Sequence, residues 1–385
     1  MARLGLIEED IVLPEKDGFI LCDENGVGRV TLLSVIGKGG MAIAYKAIRR
    51  RNGSTVTCIV KEYFPEQKEK SGRYKREKTG GRITIAERYR EAELQLQREN
   101  VRRELQTNQE IYFSEEDIRK MEFNNSPYVY SAEYLCSLGD SSYIALESSE
   151  GETLCALLKR RKLSGDEAVR FIRQLLVIVE HLSRKGFVHC DIKPENLWIR
   201  GKGDNQSMCL LDFGSAFRLS DYQADLSAMN GREVMEAADR IMRNEGIGSN
   251  TRGYCSVNIT RLESNKMIYD TTDHSPERAR MLMDSMNAIG AADDLFSVVK
   301  VAGRLLKQAE LTEEERDSIR RIWSDAEEKN ANMGFRSVPE LEKEIEIIDT
   351  ILHRGAHPAV LERALKKKHQ MPEPDEFSRD LLCDI

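Results

Sequence analysis

The order of the predicted elements is the strongest constraint on the fold of this chain, because strand-forming segments come first and helix-forming segments follow. The strand candidates are rich in β-branched and aliphatic residues and lie at 30–36, 42–48, 55–63, 128–134 and 143–146. Asn52-Gly53, between the second and third of these, is typical of a tight hairpin turn. The sequence therefore predicts an antiparallel meander ahead of a mainly helical region.

Helical patterning begins after Ser148. Ser164 and Glu167 have the spacing of a capping box, and an apolar-periodic helix is predicted from there to Leu182. This order indicates an α+β chain of two lobes. The first lobe, with an N-terminal extension, is predicted at 1–148 and the second lobe at 149–350. A helical tail is predicted at 351–385.

A highly charged stretch interrupts the first lobe near 66–125. Its central part, 68–103, has twice as many basic as acidic residues, and Gly80-Gly81 divides it before a helix-forming segment at 85–113. The basic excess is compatible with a docking surface. The interpretation we favour is a solvated insertion, with opposite charges four residues apart on a helix.

The composition is typical of a water-soluble globular protein, since 40% of the 385 residues are apolar, 32% are charged and only 9 are prolines. The net charge of −7 gives no indication of a nucleic-acid partner. The longest strictly aliphatic run, Leu175–Val179, is far too short to span a membrane, and the acidic residues at 8–10 do not fit a secretory signal. The 8 cysteines form no CxxC pair, which favours reduced thiols and a cytoplasmic location.

A glycine cluster joins the first two predicted strands. Gly37, Gly39 and Gly40 would let the backbone approach phosphate oxygens, although most glycine-rich hairpins are only turns. Lys61 strengthens the functional interpretation, because it follows a β-branched run on the next strand. A lysine in a buried strand needs an anion nearby, whereas a lysine on an edge strand simply reaches solvent. Both alternatives remain open from the local sequence.

The residues that point most directly to a chemical activity lie between positions 189 and 214. Asp191, Lys193 and Asn196 stand close together in a polar segment, and Asp212 follows sixteen residues after Asn196 on a turn that contains Gly214. Phosphoryl transfer from Mg²⁺–ATP needs one carboxylate that orients the acceptor hydroxyl. It also needs a second carboxylate and an amide, whose oxygens bind the hard metal cations. An ordinary polar loop would rarely combine these groups in this order.

These motifs resemble those of the eukaryotic-type (Hanks-type) serine/threonine protein kinases, a family also found in bacteria, and the resemblance extends over about 30–347. It implies a bilobal protein-kinase-like α+β fold, with an antiparallel-sheet N-lobe and a mainly helical C-lobe. It also implies ATP- and Mg²⁺-dependent transfer of a phosphoryl group to serine or threonine hydroxyls of protein substrates. The oligomeric state stays open.

The resemblance implies a nucleotide site in the N-lobe. Its expected members are the glycine loop, the residues around the adenine and the phosphate-contacting lysine, namely Gly37, Gly39, Gly40, Ala44, Ile59, Lys61, Glu147 and Ser149. Ala44 and Ile59 replace the usual valine and alanine, so that one position loses volume and the other gains it. The helix glutamate expected beside Lys61 is Glu104 or Glu110, and the local sequence favours Glu104.

The resemblance also implies a catalytic centre. Asp191 is expected to orient the substrate hydroxyl, and Lys193 is expected to lie near the γ-phosphate. Asn196 and Asp212 match the two residues that hold Mg²⁺. Two supporting residues are implied as well, Thr251 for bonds to Asp191 and Lys193, and Asp294 for bracing the catalytic loop.

Cys190 stands where most members of this family have an arginine. Because that arginine commonly binds a phosphate on the activation segment, its absence predicts that activity does not require a phosphate at Ser249 or Thr251. The segment, 212–258, is long, and its part 213–257 is expected to be ordered by its own packing or by a partner. The helix-forming stretch within it, 232–244, is expected either to pack over the mouth of the active site or to be a solvated loop helix. A redox role for the cysteine is disfavoured, since the adjacent carboxylate should raise the pKa of the thiol.

A second departure lies at the end of the activation segment. Ser256-Val257-Asn258 replaces the usual Ala-Pro-Glu, so the glutamate expected to neutralise Arg336 is absent. Arg336 is therefore expected either to bond Asn258 and share a carboxylate such as Glu263, or to reach water. On this basis a glutamate at position 258 should be neutral or stabilising.

Three functions are compatible with these residues. The intact catalytic and metal-holding set favours an active serine/threonine protein kinase. The departures at Cys190 and Asn258 would favour a pseudokinase that binds a nucleotide or a partner without transfer. A small-molecule kinase is the third possibility, but Lys193-Pro194 and the segment 251–254 favour protein substrates.

Overall fold

The structure is a computed structural model that describes residues 19–22, 28–38, 42–51, 54–63, 74–76, 83–85, 87–112, 128–129, 132–138, 140–147, 151–244, 246–248, 251–271 and 274–355. Its contacts divide the chain into two compact units. The first contains the described residues up to 151 together with 200–214, and the second contains 152–199 and 215–355. Most of the expected C-terminal tail, from 356 onward, lies outside the described residues.

Strands dominate the first part of the chain and helices the second, as the sequence predicts. The strands are β1 (Phe19–Cys22), β2 (Gly28–Lys38), β3 (Ala42–Arg51), β4 (Ser54–Tyr63), β5 (Tyr74–Arg76), β6 (Ile83–Ile85), β7 (Tyr128–Val129), β8 (Ala132–Leu138), β9 (Ser141–Glu147), β10 (Gly151–Thr153), β11 (Leu163–Ser164), β12 (Phe187–Val188), β13 (Leu197–Arg200), β14 (Ser207–Leu210), β15 (Phe217–Arg218) and β16 (Ala309–Glu310). The helices are α1 (Glu87–Ile111), α2 (Leu154–Arg160), α3 (Gly165–Arg184), α4 (Gly231–Arg243), α5 (Val257–Thr271), α6 (Pro276–Asn287), α7 (Ala291–Gln308), α8 (Glu313–Ala331) and α9 (Val338–Arg354).

An antiparallel sheet in the order β1-β2-β3-β4-β9-β8 forms the first unit. Ala44 pairs with Lys61 across β3 and β4, and Ile59 pairs with Leu146 across β4 and β9. Because paired residues share a face and side chains alternate along a strand, these four side chains lie on one face of the sheet. The opposite face carries an apolar cluster of Val30, Leu32, Ile43, Tyr45, Ala47, Cys58, Val60, Leu135, Tyr143 and Ala145.

The prediction of one strand at 128–134 is wrong, because the structure has two separate strands there. β7 pairs in parallel with β14, whereas β8 joins the large sheet through β9. Three tyrosines and a valine identified the strand character of this stretch. The change of pairing partner between β7 and β8 depends on distant residues and leaves no local signal.

Helix α1 occupies the charged stretch and packs against β8 and β9. Most of its buried residues are spaced three or four apart and form one face, made of Gln97, Val101, Glu104, Asn108 and Ile111, with Thr107 buried beside them. The favoured interpretation of a solvated insertion is therefore wrong for this face of α1. A short antiparallel hairpin of β5 and β6, which the sequence did not predict, precedes the helix.

The second unit is built from helices around α3 and α7. The predicted capping box is confirmed, since the Ser164 hydroxyl accepts from the Glu167 N–H and the Glu167 carboxylate accepts from the Ser164 N–H. The helix predicted inside the activation segment is confirmed as α4, which packs against α6. Helix α9 packs against α3 and α8.

Three negative observations apply to the part of the chain that the structure describes. No helix there combines the length and the apolar character needed to cross a bilayer. The cysteines described, Cys58, Cys155, Cys190, Cys209 and Cys255, form no disulfide. Within the same ranges, no three His, Cys, Asp or Glu side chains are grouped so as to hold a metal ion.

Candidate active site

Lys61 lies on β4 with its ammonium group close to two carboxylates. Its Nζ is 2.7 Å from Glu104 Oε1 and 2.9 Å from Asp212 Oδ1, and only 7% of the residue is exposed. Burial disfavours the charged amine, but Asp212 and Glu104 outweigh this effect and raise the pKa of Lys61 well above its ordinary value. Of the two alternatives left open for Lys61, the buried and paired lysine is the one observed.

Helix α1 presents Glu104 to Lys61, which confirms the favoured partner. Glu110 lies on a more exposed part of the same helix, where it accepts a hydrogen bond from Gln106 at 2.9 Å. The Tyr63 hydroxyl donates to the second oxygen of Glu104. Sequence reasoning missed Tyr63, although a residue two positions after Lys61 on a strand must share its face.

Asp212 adopts a left-handed backbone conformation with φ of 64°. Aspartate tolerates this region better than most residues. The Gly214 N–H donates to Asp212 Oδ1 at 3.4 Å, and a Cβ at Gly214 would be 3.3 Å from that oxygen and 3.5 Å from Glu104 Oε2. The glycine therefore allows the backbone to approach both carboxylates. The Asp212 side chain is 45% exposed, so its carboxylate is accessible as a ligand for a hard cation.

Asp191 is the centre of a hydrogen-bonded network in the second unit. Its Oδ1 accepts from the Thr251 hydroxyl at 2.8 Å, and its Oδ2 accepts from Lys193 Nζ at 2.6 Å and from Asn196 Nδ2 at 3.1 Å. Lys193 Nζ also donates to the Thr251 hydroxyl at 2.8 Å. The bonds of Thr251 to Asp191 and Lys193 are the ones implied by the resemblance. The three bonds that the Asp191 side chain accepts use three of the roughly four acceptor positions of a carboxylate.

Asn196 is oriented by its amide nitrogen. Nδ2 donates to the Asp191 carbonyl oxygen at 2.9 Å and to its carboxylate, and no described residue donates to Asn196 Oδ1. The oxygen of the amide is thus the end that remains for a cation. The amide oxygen of Asn196 and the accessible carboxylate of Asp212 are each an oxygen ligand of the hard type that Mg²⁺ prefers.

Asp294, at the start of α7, fixes the backbone ahead of Asp191. Its two carboxylate oxygens accept from the His189 N–H at 2.8 Å and the Cys190 N–H at 2.9 Å. Burial raises the pKa of Asp294 to about 7, although the two backbone N–H groups oppose the shift. The two bonds hold Cys190 in a left-handed conformation with φ of 64°.

Cys190 belongs to an apolar cluster that includes the activation-segment helix. The buried members are Val188, Cys190, Phe217, Leu226, Val234, Ala238, Ile241, Ile247, Ile259, Leu262, Tyr269, Ala279, Leu282, Met283, Met286 and Ile289. Burial raises the pKa of the Cys190 thiol well above its ordinary value, and the carboxylates of Asp294, Asp293 and Asp191 add to the effect. The expected direction is confirmed, but burial, rather than the adjacent Asp191, is the main cause.

The segment that replaces Ala-Pro-Glu is anchored to the start of α7. The Ser256 hydroxyl donates to Asp293 Oδ1 and accepts from the Ile259 N–H at 3.2 Å, and Asn258 Nδ2 donates to the Ala288 carbonyl at 3.2 Å. The Asn258 side chain also bonds Asp293, and this bond opposes the rise that burial causes in the pKa of Asp293. Hydrogen bonds thus hold this end of the segment.

Arg336 lies on the surface, as one of the two alternatives predicted. Its backbone N–H donates to Glu340 at 3.5 Å, and within the described ranges no bond joins it to Asn258. An exposed guanidinium keeps its hydration and needs no buried counter-charge. The missing glutamate at 258 is therefore no defect in this chain.

This arrangement reverses the expectation for a glutamate at position 258. We expect Asn258→Glu to destabilise the fold by about 1–3 kcal/mol, because it removes the bond to Ala288 and brings a second carboxylate close to buried Asp293. Thermal unfolding measures the change. Arg336→Ala is the control and should stay within about 0.5 kcal/mol. A melting temperature of Asn258→Glu at or above that of the parent protein would contradict the anchoring described for Asn258.

The expected nucleotide contacts are only partly described. Gly37 pairs with Ala44 at the end of the β2–β3 ladder, and Glu147 pairs with Cys58 at the end of β9. Ile59 is buried and Ala44 is partly buried. The other expected members, Gly39, Gly40 and Ser149, lie outside the described residues, as does Ser249.

Comparison with known proteins identifies the family. The protein kinase domain model matches residues 30–329. The chain is 29% identical over 123 residues to the Citron rho-interacting kinase of Rattus norvegicus. It is 40% identical over 76 residues to a hormonally up-regulated neu tumor-associated kinase homolog of Xenopus tropicalis, and 35% over 106 residues to a serine/threonine-protein kinase of Saccharomyces cerevisiae.

These pairwise matches are partial. They cover 31%, 20% and 27% of this chain, and only 6%, 10% and 9% of the respective relatives. A solved kinase domain of Mycobacterium tuberculosis aligns with 89% of this chain and 100% of its own, at 10% identity and a TM-score of 0.45. The family model covers most of the chain, and it agrees with the catalytic-loop motifs. The chain therefore belongs to the protein kinase domain family, which confirms the family that those motifs suggested.

Proposed function

We propose that this chain transfers the γ-phosphoryl group of ATP to serine or threonine hydroxyls of protein substrates, with Mg²⁺ as the cofactor. The observation that carries the proposal is the state of Asp191. Three donors fix its carboxylate, and one acceptor position, on the oxygen bonded by Thr251, remains for a substrate hydroxyl. A carboxylate fixed in this way can orient a hydroxyl and accept its proton.

The other residues of the network have distinct roles in the proposed reaction. The Lys193 ammonium group, bonded to both Asp191 and Thr251, supplies positive charge beside the γ-phosphoryl group that the substrate hydroxyl attacks. Asn196 and Asp212 are the proposed ligands of the metal. Mg²⁺, when bound, neutralises phosphate charge that develops during transfer. Lys61, kept charged by Glu104 and Asp212, binds phosphate oxygens of the nucleotide.

The nucleotide base is proposed to bind on the sheet face that carries Lys61. Ala44, Ile59 and Leu146 share this face, and they provide apolar surface next to the lysine. Backbone groups of Glu147 and Ser149, and the glycines at 37, 39 and 40, complete the proposed site. Ala44 is smaller and Ile59 is larger than the usual valine and alanine, so the total apolar volume at the two positions changes little.

A transfer assay tests the function. Purified protein is incubated with γ-labelled ATP, Mg²⁺ and generic protein substrates, and the labelled amino acids are identified after hydrolysis. We expect phosphoserine or phosphothreonine, and loss of the label when the metal is chelated. Nucleotide binding without any transfer would instead establish the pseudokinase, and label found only on small molecules would establish the third alternative.

The packing of Cys190 supports activity that is independent of activation-loop phosphorylation. The apolar cluster packs α4 against α5 and α6. Lys266 of α5 also donates to the carbonyls of Asn244 and Ile247 at 2.6 and 2.9 Å, so groups of the chain itself hold this segment. Thr251 already bonds Asp191 and Lys193 through its hydroxyl. A phosphate on Thr251 would therefore disrupt the network rather than order the segment.

We expect phosphatase-treated and untreated protein to have equal rates in the transfer assay. Ser249→Ala should behave like the parent protein, because no arginine at position 190 would bind a phosphate there. Mass spectrometry confirms that the treated sample carries no phosphate. Loss of most activity on dephosphorylation would contradict the proposal.

A further inference from the structure

The guanidinium group of Arg304 lies against the segment that is bonded to Asp191. Arg304 Nη1 donates to the Tyr254 hydroxyl at 3.0 Å, and Nη2 is 3.9 Å from the Cys155 sulfur. Both partners are neutral side chains, and the hydrogen bond to Tyr254 raises the pKa of Arg304 above its ordinary value. No described carboxylate lies within ion-pair distance of this guanidinium, although the side chain is only partly exposed.

Tyr254 connects Arg304 to the catalytic residues. The Tyr254 N–H donates to the Thr251 carbonyl at 3.1 Å, which closes a turn, and the Ser297 hydroxyl donates to the Tyr254 carbonyl at 2.8 Å. The Thr251 hydroxyl in turn donates to Asp191. A closed turn spans less than about 7 Å between its first and last Cα atoms, so one short turn and the length of one tyrosine side chain separate the guanidinium from the residue that bonds Asp191.

A second arginine adjoins the same turn. Arg252 is exposed, and within the described ranges no hydrogen bond or ion pair involves its guanidinium. The neighbouring anion, Glu195, is exposed and lies close to the Cys155 thiol, where it adds to the rise that burial causes in the pKa of that thiol. Within the described ranges no ion pair joins Glu195 to Arg304. Arg304, beside the turn, and Arg252, within it, are thus two cations without a carboxylate partner among the described residues.

An arginine fork without a carboxylate is complementary to an incoming anion. Planar guanidinium groups bind carboxylates through paired, charge-assisted hydrogen bonds, which are stronger than neutral ones. Arg304 is already oriented by Tyr254, so less side-chain freedom is lost on binding. A small dissolved anion could bind the same guanidinium group. However, the turn beside Arg304 is bonded to Asp191, the residue proposed to receive the acceptor hydroxyl, and this favours an anion carried by the substrate chain.

We propose that Arg304, with Arg252 as a secondary contact, selects peptide substrates that carry an aspartate or glutamate close to the phosphorylated residue. An extended peptide advances about 3.4 Å per residue, so the acidic side chain is expected roughly two to four residues from the acceptor. This inference rests on the proposed transfer to protein hydroxyls. It adds a substrate class, acidic peptides, to that activity.

A positional peptide series tests the specificity. Peptides with one serine acceptor carry a single glutamate, alanine or lysine at each position from four before to four after the serine. We expect one or more glutamate positions to raise kcat/KM about tenfold over alanine, mainly through a lower KM. This preference should weaken as salt is raised, because the contact is partly exposed.

Two substitutions assign the preference to Arg304. Arg304→Gln keeps a donor for Tyr254 but removes the charge, so the glutamate-to-alanine ratio of kcat/KM should fall close to one. Arg304→Glu should shift the preference toward lysine. Arg321→Gln, which removes an exposed arginine on α8, is the matched control and should keep the parent ratio. Circular dichroism establishes that each variant is folded.

The outcomes separate the inference from the proposed function. Phosphorylation of the alanine peptide without any glutamate preference would overturn the inference and leave the kinase function intact. A glutamate preference that survives in Arg304→Gln would overturn the role of Arg304. If no peptide is phosphorylated, the affinity of the parent protein for fluorescent peptides tests the inference instead. Equal affinity for the glutamate and alanine peptides would overturn the inference independently of transfer.

Discussion

Replacement of Asp191 by alanine is expected to lower the rate of phosphoryl transfer by about 10²–10⁴-fold, the range associated with a lost general base. The substitution removes the only carboxylate in the described network of Lys193, Asn196 and Thr251. Nucleotide binding should persist, because Lys61 and its two carboxylates are not part of that network. Initial rates and the affinity for a fluorescent nucleotide measure the two effects separately.

Asp191→Asn is the matched variant for this prediction. The amide keeps the size of the side chain and one acceptor oxygen for the Thr251 hydroxyl, so the loop should stay close to its native conformation. It cannot accept the proton of a substrate hydroxyl. We therefore expect near-parental thermal stability with a rate as low as that of Asp191→Ala. Transfer by either variant at the parent rate would contradict the role assigned to Asp191.

The second large effect is expected at the buried ion pair of the first unit. Glu104→Ala leaves the Lys61 ammonium group buried with Asp212 as its remaining carboxylate, and removes the acceptor of the Tyr63 hydroxyl. Loss of one partner of a buried pair commonly costs about 3–5 kcal/mol. Chemical denaturation measures this change, and titration with nucleotide should show weaker binding because Lys61 is no longer oriented.

Glu110→Ala is the control on the same helix. Glu110 makes an exposed hydrogen bond with Gln106, so its loss should change the free energy of unfolding by less than about 0.5 kcal/mol. The double variant Lys61→Met/Glu104→Met should be more stable than Glu104→Ala, because no buried charge is then left without its partner. Equal destabilisation by Glu104→Ala and Glu110→Ala would contradict the pairing in the structure.

Local sequence patterns predicted the elements that depend on neighbouring residues. β-branched runs and the Asn52-Gly53 turn indicated the meander, and the Ser164 capping box indicated the start of α3. The grouping of Asp191, Lys193 and Asn196 was also predictable, because the three residues lie within six positions of one polar segment. Thr251 and Asp294 were inferred from family motifs, and the structure gives both the expected bonds.

Features that depend on residues distant in sequence were not predictable. The local sequence favoured Glu104 over Glu110 as the partner of Lys61, but the face of α1 that packs on the sheet is what establishes the pair. Arg304 had no signal at all, since its contacts are with a tyrosine fifty residues earlier and a cysteine in α2. The exposure of Arg336 likewise depends on how Asn258 and Ser256 are bonded, which a motif comparison cannot show.

The apolar cluster around Cys190 also has a consequence for how the protein opens. Cys190 and Val188, next to the catalytic aspartate, share one core with α4, α5 and α6. Residues in one continuous core tend to unfold together as a cooperative unit, so the amides of the catalytic loop and of the activation-segment helix share a common opening free energy in hydrogen exchange. A phosphate-anchored segment can detach while the catalytic loop stays ordered. Here we expect the catalytic loop and the activation-segment helix to open together, so that the order of the activation segment depends on the stability of the second unit.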